Sequence, residues 1–513
     1  MAETADVVET VKQGYAFEGP AIELGALLVD GTPNPEAAVR IPLSMVNRHG
    51  LVAGATGTGK TKTLQLMAEQ LSSAGVAVFA ADIKGDLSGI SQPGESNEKL
   101  LARTKTIGQE WTGTGFPTEF YALGGQGTGV PIRATITSFG PVLLSKVLGL
   151  NDVQESSLGL IFHYADSQGL TLLDLKDLRA VITHLAGDEG KDDLKELGGL
   201  SAATAGVILR SLIGFADQGA EAFFGEPEFD TADLLQVKDG KGVISLLELP
   251  NLQDRPALFS TFLMWLLADL YHDLPEVGDV DKPKLVFFFD EAHLLFADAS
   301  KAFLSSIAQT VRLIRSKGVG VFFVTQTPKD VPDDVLAQLG SRVQHQLRAH
   351  TPNDAKALKA TVSTFPNSSY DLGEVLTQLG IGEAIVTVMN EKGAPTPVAW
   401  TRLRAPQSLM APASAEQLTA TVQASAGNAK YTEVLDRESA YEKLAARVQA
   451  GAEQAEAEAK NKPAPEPKAA PRAQKQEKSM VEQVVGSSAF KQFARTAGRE
   501  IVRGLFGAAR RKR

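Results

Sequence analysis

Residues 54–61, Gly-Ala-Thr-Gly-Thr-Gly-Lys-Thr, combine glycines, a lysine and a threonine at a spacing that is typical of phosphate binding. In such a loop the backbone N–H groups surround the phosphates, the ammonium of Lys60 contacts the β- and γ-phosphates, and the Thr61 hydroxyl binds Mg²⁺. We therefore expect ATP and Mg²⁺ as ligands. The predicted nucleotide contacts are Gly54, Ala55, Thr56, Gly57, Thr58, Gly59, Lys60, Thr61 and Lys62.

Two adjacent carboxylates follow a second apolar segment, about 230 residues later in the chain. Residues 285–289 read Leu-Val-Phe-Phe-Phe and end in Asp290 and Glu291. Asp290 is predicted to share the Mg²⁺ with Thr61, and Glu291 is predicted to orient and polarise the attacking water. His293 lies beside this pair and is placed to orient Glu291.

The elements around these residues must place them together. Residues 50–53 predict a short strand before the phosphate loop, and residues 63–71 have the apolar spacing of a helix after it. The all-apolar segments 76–81 and 319–324 predict parallel strands that are covered on both faces. An additional strand between the phosphate-loop strand and the hydrolysis strand, together with the Asp-Glu pair, predicts an α/β fold with a RecA-like P-loop core. Gln326 ends that additional strand, where it either contacts the γ-phosphate or is solvated.

Composition limits the remaining possibilities. The chain has 513 residues, a formal net charge of −10 and no cysteine, which excludes disulfides, thiolate zinc sites and a cysteine nucleophile. No secretory signal or long apolar span is evident, so we expect a cytoplasmic protein. The negative charge argues against a broad surface that coats nucleic acid. Residues 479–513 differ, since they carry eight basic residues against two acidic ones.

Changes in composition predict five segments. They are a hairpin and the first part of the ATPase core (1–140), a helical insertion (141–238), the second part of the core (239–404), a low-complexity linker (405–478) and a basic amphipathic tail helix (479–513). The hairpin is predicted in residues 17–46 around a turn at residues 31–35. The glycine cluster at residues 124–129 is interpreted as a second hairpin tip rather than a second phosphate loop.

Four segments together resemble one family of motor ATPases. Residues 50–61, 82–86, 290–293 and 324–326 look like the FtsK/HerA branch, and more narrowly like the bacterial HerA-like ATPases of the YjgR type. The resemblance covers most of residues 17–404, and residues 498–506 also look typical of the narrower type. It implies a ring, usually of six subunits, with ATP between neighbours and DNA driven through the centre. Only about 50 residues precede the phosphate loop, so we expect the N-terminal barrel of archaeal members to be reduced or absent.

The resemblance also implies an arginine that reaches the γ-phosphate of the adjacent subunit. In related coupling ATPases this arginine precedes a small-residue turn after the hydrolysis strand, which matches Arg315 in the sequence Arg-Ser-Lys-Gly. Arg312 is the second candidate and Arg342 the third. The alternative is that Arg315 is an ordinary solvated helix residue.

The tail has two faces when it is drawn as a helix. Its apolar residues share one face and its basic residues recur at steps of four, so it would bind a neighbouring subunit, nucleic acid or an anionic membrane surface. The leading functional hypothesis is a helicase or DNA translocase. The alternative is an ATP-driven switch that binds protein, or an assembly or export factor, and never translocates DNA.

Overall fold

A twelve-stranded sheet organises the protein in a computed structural model, which describes residues 2–187, 190, 192–193, 199–252, 255–296 and 301–461. The chain divides into two compact units, Met1–Gln449 and Ala450–Arg513. The sheet and the site belong to the first unit, and of the second only the end of one helix is described. The tail predicted at residues 479–513 lies outside the described residues. Within the described residues, no helix is both long enough and apolar enough to span a bilayer.

The strands follow the chain from residue 21 to residue 403. They are β1 Ala21–Val29, β2 Thr32–Pro42, β3 Gly50–Ala53, β4 Ala77–Asp82, β5 Thr118–Leu123, β6 Val130–Ile132, β7 Val237–Lys238, β8 Lys241–Gly242, β9 Ile244–Glu248, β10 Leu285–Phe289, β11 Val319–Thr325, β12 Ser341–Gln344, β13 Glu383–Thr387 and β14 Ala399–Leu403. Strands β7 and β8 form a separate two-stranded ribbon.

The order of the other strands is β2-β1-β14-β13-β12-β3-β11-β10-β4-β9-β5-β6. The run from β12 to β6 is parallel throughout, and β13, β14, β1 and β2 add to it antiparallel. Strand β11 lies between β3 and β10, as the sequence predicts. This mostly parallel sheet is that of a RecA-like P-loop core.

The central strands β3, β4, β9, β10 and β11 are buried at every position because helices cover both faces of the sheet. Alternate residues enter two different cores, since successive side chains of a strand point to opposite faces. On β10, for example, Phe287 and Phe289 pack in one core and Phe288 in the other. All three side chains are at most 2% exposed. Because the strands are packed on both faces, their ends lie at fixed positions relative to one another.

The helices cover these two faces. They are α1 Ala2–Gly14, α2 Lys60–Ser73, α3 Glu98–Thr106, α4 Ile136–Val147, α5 Asp152–Ser167, α6 Leu175–Ala186, α7 Ala202–Asp217, α8 Pro256–Asp273, α9 His293–Phe296, α10 Lys301–Ile314, α11 Asp333–Leu336, α12 Pro352–Val362, α13 Leu372–Gln378, α14 Ala415–Ala424, α15 Ala426–Tyr431 and α16 Ala440–Asn461. Helix α2 packs in the same core as Phe288, and α8 and α10 pack on the opposite face. Helices α4 to α7 give the predicted helical character to the described part of residues 141–224.

Two local predictions are wrong. The first hairpin turns at Asp30–Gly31, and the prolines expected in the turn lie in β2, an edge strand that tolerates them. The glycine cluster at residues 124–129 is not a hairpin tip, because β5 and β6, which it joins, pair in parallel.

The linker predicted from residue 405 is also wrong in its first part. Residues 405–449 belong to the first compact unit and contain α14, α15 and the start of α16. Tyr431, at the end of α15, is fully buried against Phe229, and its hydroxyl donates to Asp233 Oδ2 at 2.6 Å. These contacts could not be predicted from composition, because the segment has few apolar residues and only a few of its side chains pack on the core. Residues 462–478 lie outside the described residues.

Candidate active site

Parallel strands bring all the predicted site residues except Arg315 to one edge of the sheet, because the carboxyl ends of these strands lie on the same side. The residues at or just after these ends are, in sheet order, His345 after β12, the phosphate loop after β3, Gln326 after β11, Asp290 and Glu291 after β10, Asp82 on β4 and Glu248 on β9. Residues more than 200 positions apart in the chain are therefore neighbours here.

The phosphate loop has a backbone that requires glycine. Gly57 and Gly59 have φ values of 83° and 113°, in the left-handed region that other residues rarely adopt. Gly59 is also the N-cap of α2, so the N–H groups of the first helical turn face the loop. At Gly54 a side chain is excluded for a different reason, since a Cβ there would lie 2.4 Å from the Cβ of His345. The loop thus leaves a concave surface lined by backbone, which fits phosphate.

Lys60 is buried beneath this loop. Its side chain is 8% exposed, and Nζ donates to the carbonyl oxygens of Gly54 at 2.7 Å and Ala55 at 3.2 Å. Burial lowers the pKa of Lys60, whereas the nearby carboxylates of Glu291 and Asp290 act in the opposite direction. The ammonium therefore lies between the loop and the acidic pair, where it can contact a bound phosphate.

His345 supports the loop from below and was not predicted from the sequence. Its Nε2 lies 2.9 Å from Thr63 Oγ1, and its backbone N–H donates to Ala53 O at 2.7 Å. Complete burial, and then the positive charge of Lys60, lower the pKa of His345 to about 4. The imidazole is therefore neutral at physiological pH and adds no positive charge to the phosphate site.

Asp290 has a free oxygen where a metal ion would lie. Its Oδ1 accepts from the N–H of Glu291 at 2.9 Å, while Oδ2 is buried and has no hydrogen-bond partner among the described residues. Burial, with the nearby charge of Glu291, raises the pKa of Asp290 to about 7. The half-buried Thr61, the first residue after Lys60 in α2, supplies the second predicted ligand. A buried carboxylate oxygen without a partner fits a divalent cation.

The protein contributes few other ligands for such an ion. Among the residues that the structure describes, no group of three or more His, Asp or Glu side chains forms a metal site by itself. Mg²⁺ commonly takes one or two protein oxygens and completes its shell with water and substrate phosphates. The residues present therefore fit Mg²⁺ that arrives together with a nucleotide.

Glu291 is held by partners on two sides. Its φ is 47°, a left-handed conformation that is unusual for glutamate, and its side chain is 7% exposed. Oε1 accepts a short hydrogen bond from Lys84 Nζ, and Oε2 lies 3.3 Å from Nδ1 of His293. His293 therefore lies near Glu291, but neither Oε2 nor Nδ1 has a hydrogen-bond partner among the described residues, so the orienting role stays a prediction. Lys84 belongs to the segment 82–86 that resembles the family, but its contact with Glu291 was not predicted from the sequence.

The comparisons with known proteins identify the family. A family model described as Helicase HerA-like C-terminal matches residues 28–513, which is nearly the whole chain. The chain belongs to this family. It is a P-loop ATPase.

Two relatives are archaeal HerA proteins. The DNA double-strand break repair helicase HerA of Sulfurisphaera tokodaii is 23% identical over 378 residues, which cover 72% of this chain and 67% of that protein. The HerA of Saccharolobus solfataricus is 24% identical over 388 residues, which cover 74% and 68%. Among solved structures, the unbound bacterial conjugative coupling protein TrwB has a TM-score of 0.51 at 15% identity, covering 79% of this chain and 95% of that one. The likeness to TrwB shows the fold.

In this HerA-like chain Gln326 is exposed and follows β11 directly. The turn after it is shaped by Asp330, whose Oδ2 accepts from Thr325 Oγ1 at 2.7 Å and from the N–H of Thr327 at 3.0 Å. The amide of Gln326 is thus presented at the same edge as Asp290. Its predicted contact with the γ-phosphate stays a prediction.

The predicted Arg315 lies at the other edge of the sheet. It begins a 3₁₀ turn, Arg315–Lys317, that leads into β11, whereas the phosphate loop follows the opposite ends of the strands. Arg315 and Arg312 are both exposed. Arg342, in contrast, donates to Thr364 O at 2.7 Å within its own chain. The HerA-like core therefore does not bring Arg315 to its own phosphate loop.

Lys62 has partners away from the loop. Its Nζ donates to Met410 O at 2.7 Å and to Gln65 Oε1 at 3.2 Å. Burial lowers its pKa, and the carboxylates of Asp86 and Asp82 act in the opposite direction. Its predicted contact with nucleotide stays a prediction, because its ammonium is used by the segment after β14 in this structure.

Proposed function

We infer that this HerA-like ATPase is a ring-forming, Mg²⁺-dependent motor that translocates DNA, with each ATP bound between two subunits. The observation that carries this inference is the position of Arg315 relative to the phosphate loop. Lys60, Asp290 and Glu291 meet at one edge of the sheet, and the exposed Arg315 lies at the other. A second subunit would complete the site by presenting its own Arg315.

The distance across the sheet supports a contribution from a neighbour. Strand β11 separates Arg315 from Gln326 and is seven residues long, or roughly 23 Å at about 3.3 Å per residue. An arginine side chain cannot span this length within its own chain. In a head-to-tail ring, however, the same surface of one subunit faces the phosphate loop of the next, and every site is completed in the same way.

The carboxyl ends of the parallel strands, where the phosphate loop lies, are called the phosphate edge of the sheet. Each residue at this edge would have a separate role in hydrolysis. The loop and Lys60 would hold the phosphates, and Glu291 would accept a proton from the attacking water. Mg²⁺ bound by Thr61 and Asp290 would neutralise charge on the phosphate oxygens. Gln326 would contact the γ-phosphate and so distinguish ATP from ADP. Arg315 of the neighbour would stabilise the charge that develops during transfer.

The two HerA relatives support DNA as the substrate, since both are DNA double-strand break repair helicases. Charge limits where DNA would be contacted. Residues 141–238 contain 16 Asp and Glu against 7 Lys and Arg, so this helical insertion would repel a phosphate backbone. We therefore propose that DNA contacts other surfaces of the ring.

The test is ATP turnover with and without single-stranded and duplex DNA over a salt series. A DNA motor is stimulated by at least one of these substrates, and the stimulation falls as salt rises, because DNA binding releases counterions. Oligomeric state is measured in parallel by light scattering on Glu291→Gln with Mg·ATP. A monomer under these conditions, or turnover that neither DNA changes at low salt, would contradict the inference.

The acidic insertion favours one other candidate, an ATP-driven switch that binds a basic protein partner. The excess of 16 acidic over 7 basic residues in this segment would attract lysine and arginine. In that case a cationic protein such as histone or protamine would bind residues 141–238 and alter turnover, whereas DNA would not. The same turnover assay with such a protein in place of DNA therefore separates the two candidates.

A further inference from the structure

Lys84 is fixed in place by a loop that a buried carboxylate builds. Asp82, the last residue of β4, accepts from the N–H of Gly85 at 2.7 Å and of Asp86 at 3.3 Å through Oδ1. Its Oδ2 accepts from the N–H of Leu87 at 2.8 Å. Because Asp82 is fully buried, these bonds define the path of the backbone and hence the position of Lys84.

The loop also requires glycine directly after Lys84. Gly85 has a φ of 73°, and a Cβ at this position would lie 3.0 Å from Cγ of Pro250. A side chain here would be strained by both the backbone and the neighbouring proline. Lys84 is therefore presented by a backbone of defined shape rather than by a free surface loop.

The two partners of the Lys84–Glu291 ion pair differ in exposure. The side chain of Glu291 is 7% exposed, whereas that of Lys84 is 44% exposed. The backbone of Glu291 is tied to the sheet by Asp290 Oδ1 and by the next residue, Ala292, whose N–H donates to Val324 O at 2.9 Å. Of the two, the lysine has the longer and freer side chain, so it is the partner that can move.

Lys84 also lies close to the phosphate site. Its positive charge contributes to the lowered pKa of Lys60, after the larger effect of burial. The two cations Lys60 and Lys84 thus lie among several carboxylates, chiefly Glu291 and Asp290, with Asp330 acting on Lys60 and Asp86 on Lys84. A bound triphosphate adds negative charge to this group and competes with Glu291 for an ammonium.

We propose that Lys84 exchanges partners when a nucleoside triphosphate binds, leaving Glu291 and contacting the γ-phosphate. The exchange rests on the function inferred above, in which Glu291 activates water. It has two effects. The carboxylate of Glu291 becomes free to accept a hydrogen bond from water, and a second cation besides Lys60 stabilises charge on the transferred group.

The chemical step balances with the groups named. The water oxygen forms a bond to the γ-phosphorus as the bond from phosphorus to the β,γ-bridging oxygen breaks, and that electron pair stays on the diphosphate. The water proton passes to Glu291. Lys84 neither gains nor loses a proton, so its role is electrostatic and it touches the reacting phosphate as a catalytic residue.

The experiment compares the affinities of ADP and a non-hydrolysable β,γ-imido triphosphate for the full chain, with Mg²⁺ present. In Lys84→Met we expect the ratio of triphosphate to diphosphate affinity to fall about tenfold, the size of one charge-assisted contact, with ADP affinity changed less than about twofold. The turnover number should fall about 100-fold. Lys84→Arg should recover part of the affinity ratio and part of the turnover number.

A matched control is Lys282→Met. Lys282 is an exposed lysine that donates to Ala74 O at 2.8 Å, and it precedes β10 at the edge of the sheet away from the phosphate loop. It should leave both affinities and turnover unchanged.

Two results would overturn the proposal. If Lys84→Met raises turnover and keeps the affinity ratio, Lys84 only restrains Glu291. If the affinities for ADP and the triphosphate fall together, Lys84 only supports the loop. Failure of the inferred function gives a different result, since turnover retained in Glu291→Gln removes the glutamate from catalysis, while the affinity ratio still tests Lys84 as a phosphate contact.

Discussion

The carboxylate of Glu69 accepts hydrogen bonds from the backbone N–H groups of Gln407 at 2.8 Å and Ser408 at 3.0 Å. Glu69 lies on α2, the helix that follows the phosphate loop, and Ser408 follows β14, the last strand of the sheet. Gln65 adds a bond to Leu409 O at 2.9 Å. The segment after the sheet is thus fastened to the helix that carries the phosphate loop.

We expect Glu69→Gln to destabilise the first compact unit. Glu69 is 2% exposed and uses both carboxylate oxygens as acceptors, whereas glutamine offers one acceptor and places an NH₂ group against a backbone N–H. The free energy of unfolding should fall by about 1–3 kcal/mol, the usual cost of an unsatisfied buried donor. Urea unfolding measures the change. Glu416→Gln, at an exposed position of α14, is the control, and equal midpoints for the two variants would contradict the prediction.

Substitutions at Lys60 and Glu291 should affect nucleotide binding and hydrolysis separately. Lys60→Ala removes the ammonium under the loop and should abolish ATP binding. Glu291→Gln should keep Mg·ATP bound and reduce turnover by at least about 1,000-fold, because only the water-activating carboxylate is lost. Binding is measured with a fluorescent nucleotide and turnover by phosphate release. Substantial turnover in Glu291→Gln would show that another group activates the water.

Arg315→Ala should bind ATP almost normally and hydrolyse it slowly. An arginine supplied in trans stabilises charge on the transferred phosphoryl group and is worth on the order of 10³ to 10⁵ in rate. The decisive measurement mixes Arg315→Ala with Lys60→Ala. In a mixed ring an Arg315→Ala subunit keeps its own Lys60 and faces the intact Arg315 of a Lys60→Ala neighbour, so turnover should reappear.

This mixing experiment needs evidence that subunits exchange, for example by energy transfer between labelled proteins. If exchange is demonstrated and no activity returns, either Arg315 acts within its own subunit or hydrolysis requires several intact sites around the ring. If Arg315→Ala alone keeps full activity, the assignment is wrong. Arg312 is then the next variant to measure.

Because His49 is buried in its neutral form, the free energy of unfolding should decrease as the pH falls. His49 is 2% exposed, and its Nδ1 accepts from the N–H of Val321 at 3.0 Å. Burial, followed by a weaker effect of Arg315 and Arg48, lowers its pKa from the ordinary 6.5 to about 4. Between these values the unfolded chain binds a proton that the folded chain does not. At pH 5 this costs about 2 kcal/mol relative to pH 8.

The measurement for His49 is the difference between urea midpoints at pH 8 and pH 5. His49→Gln lowers stability at both pH values through lost packing, but it should narrow the difference between them. His350→Gln, at an exposed position, should leave the difference as it is in the unaltered protein. An unchanged difference in His49→Gln would show that this histidine does not contribute to acid sensitivity.

The phosphate edge of the sheet could be predicted from local sequence. Phosphate binding requires glycines, a lysine and a hydroxyl at one fixed spacing, and the strands beside them must be apolar on both faces. These requirements identify residues 54–61 and 285–291 without knowledge of their neighbours. The order β3-β11-β10 also followed from the Asp-Glu pair and was confirmed.

The residues that were missed act through partners far away in the chain. Lys84 and Glu291 are 207 residues apart, and Thr63 and His345 are 282 apart, so no local pattern marks either pair. The same reason explains why residues 405–449 were wrongly predicted to be a linker. This segment packs on the core through backbone hydrogen bonds and single buried side chains such as Tyr431, and it has no apolar stripe that a sequence pattern would reveal. Strands β5 and β6 were paired wrongly because a glycine-rich connection is compatible with either strand direction.

Strand β3 lies between β11 and β12, and both neighbours follow it by more than 260 residues in the chain. At roughly 5–20 residues per second of protein synthesis, the ribosome needs tens of seconds to produce them. Until then the apolar strand and its glycine-rich loop have no sheet to join. We therefore expect an ordered phosphate loop only in chains synthesised past Gln344, because only these contain both strands that flank β3.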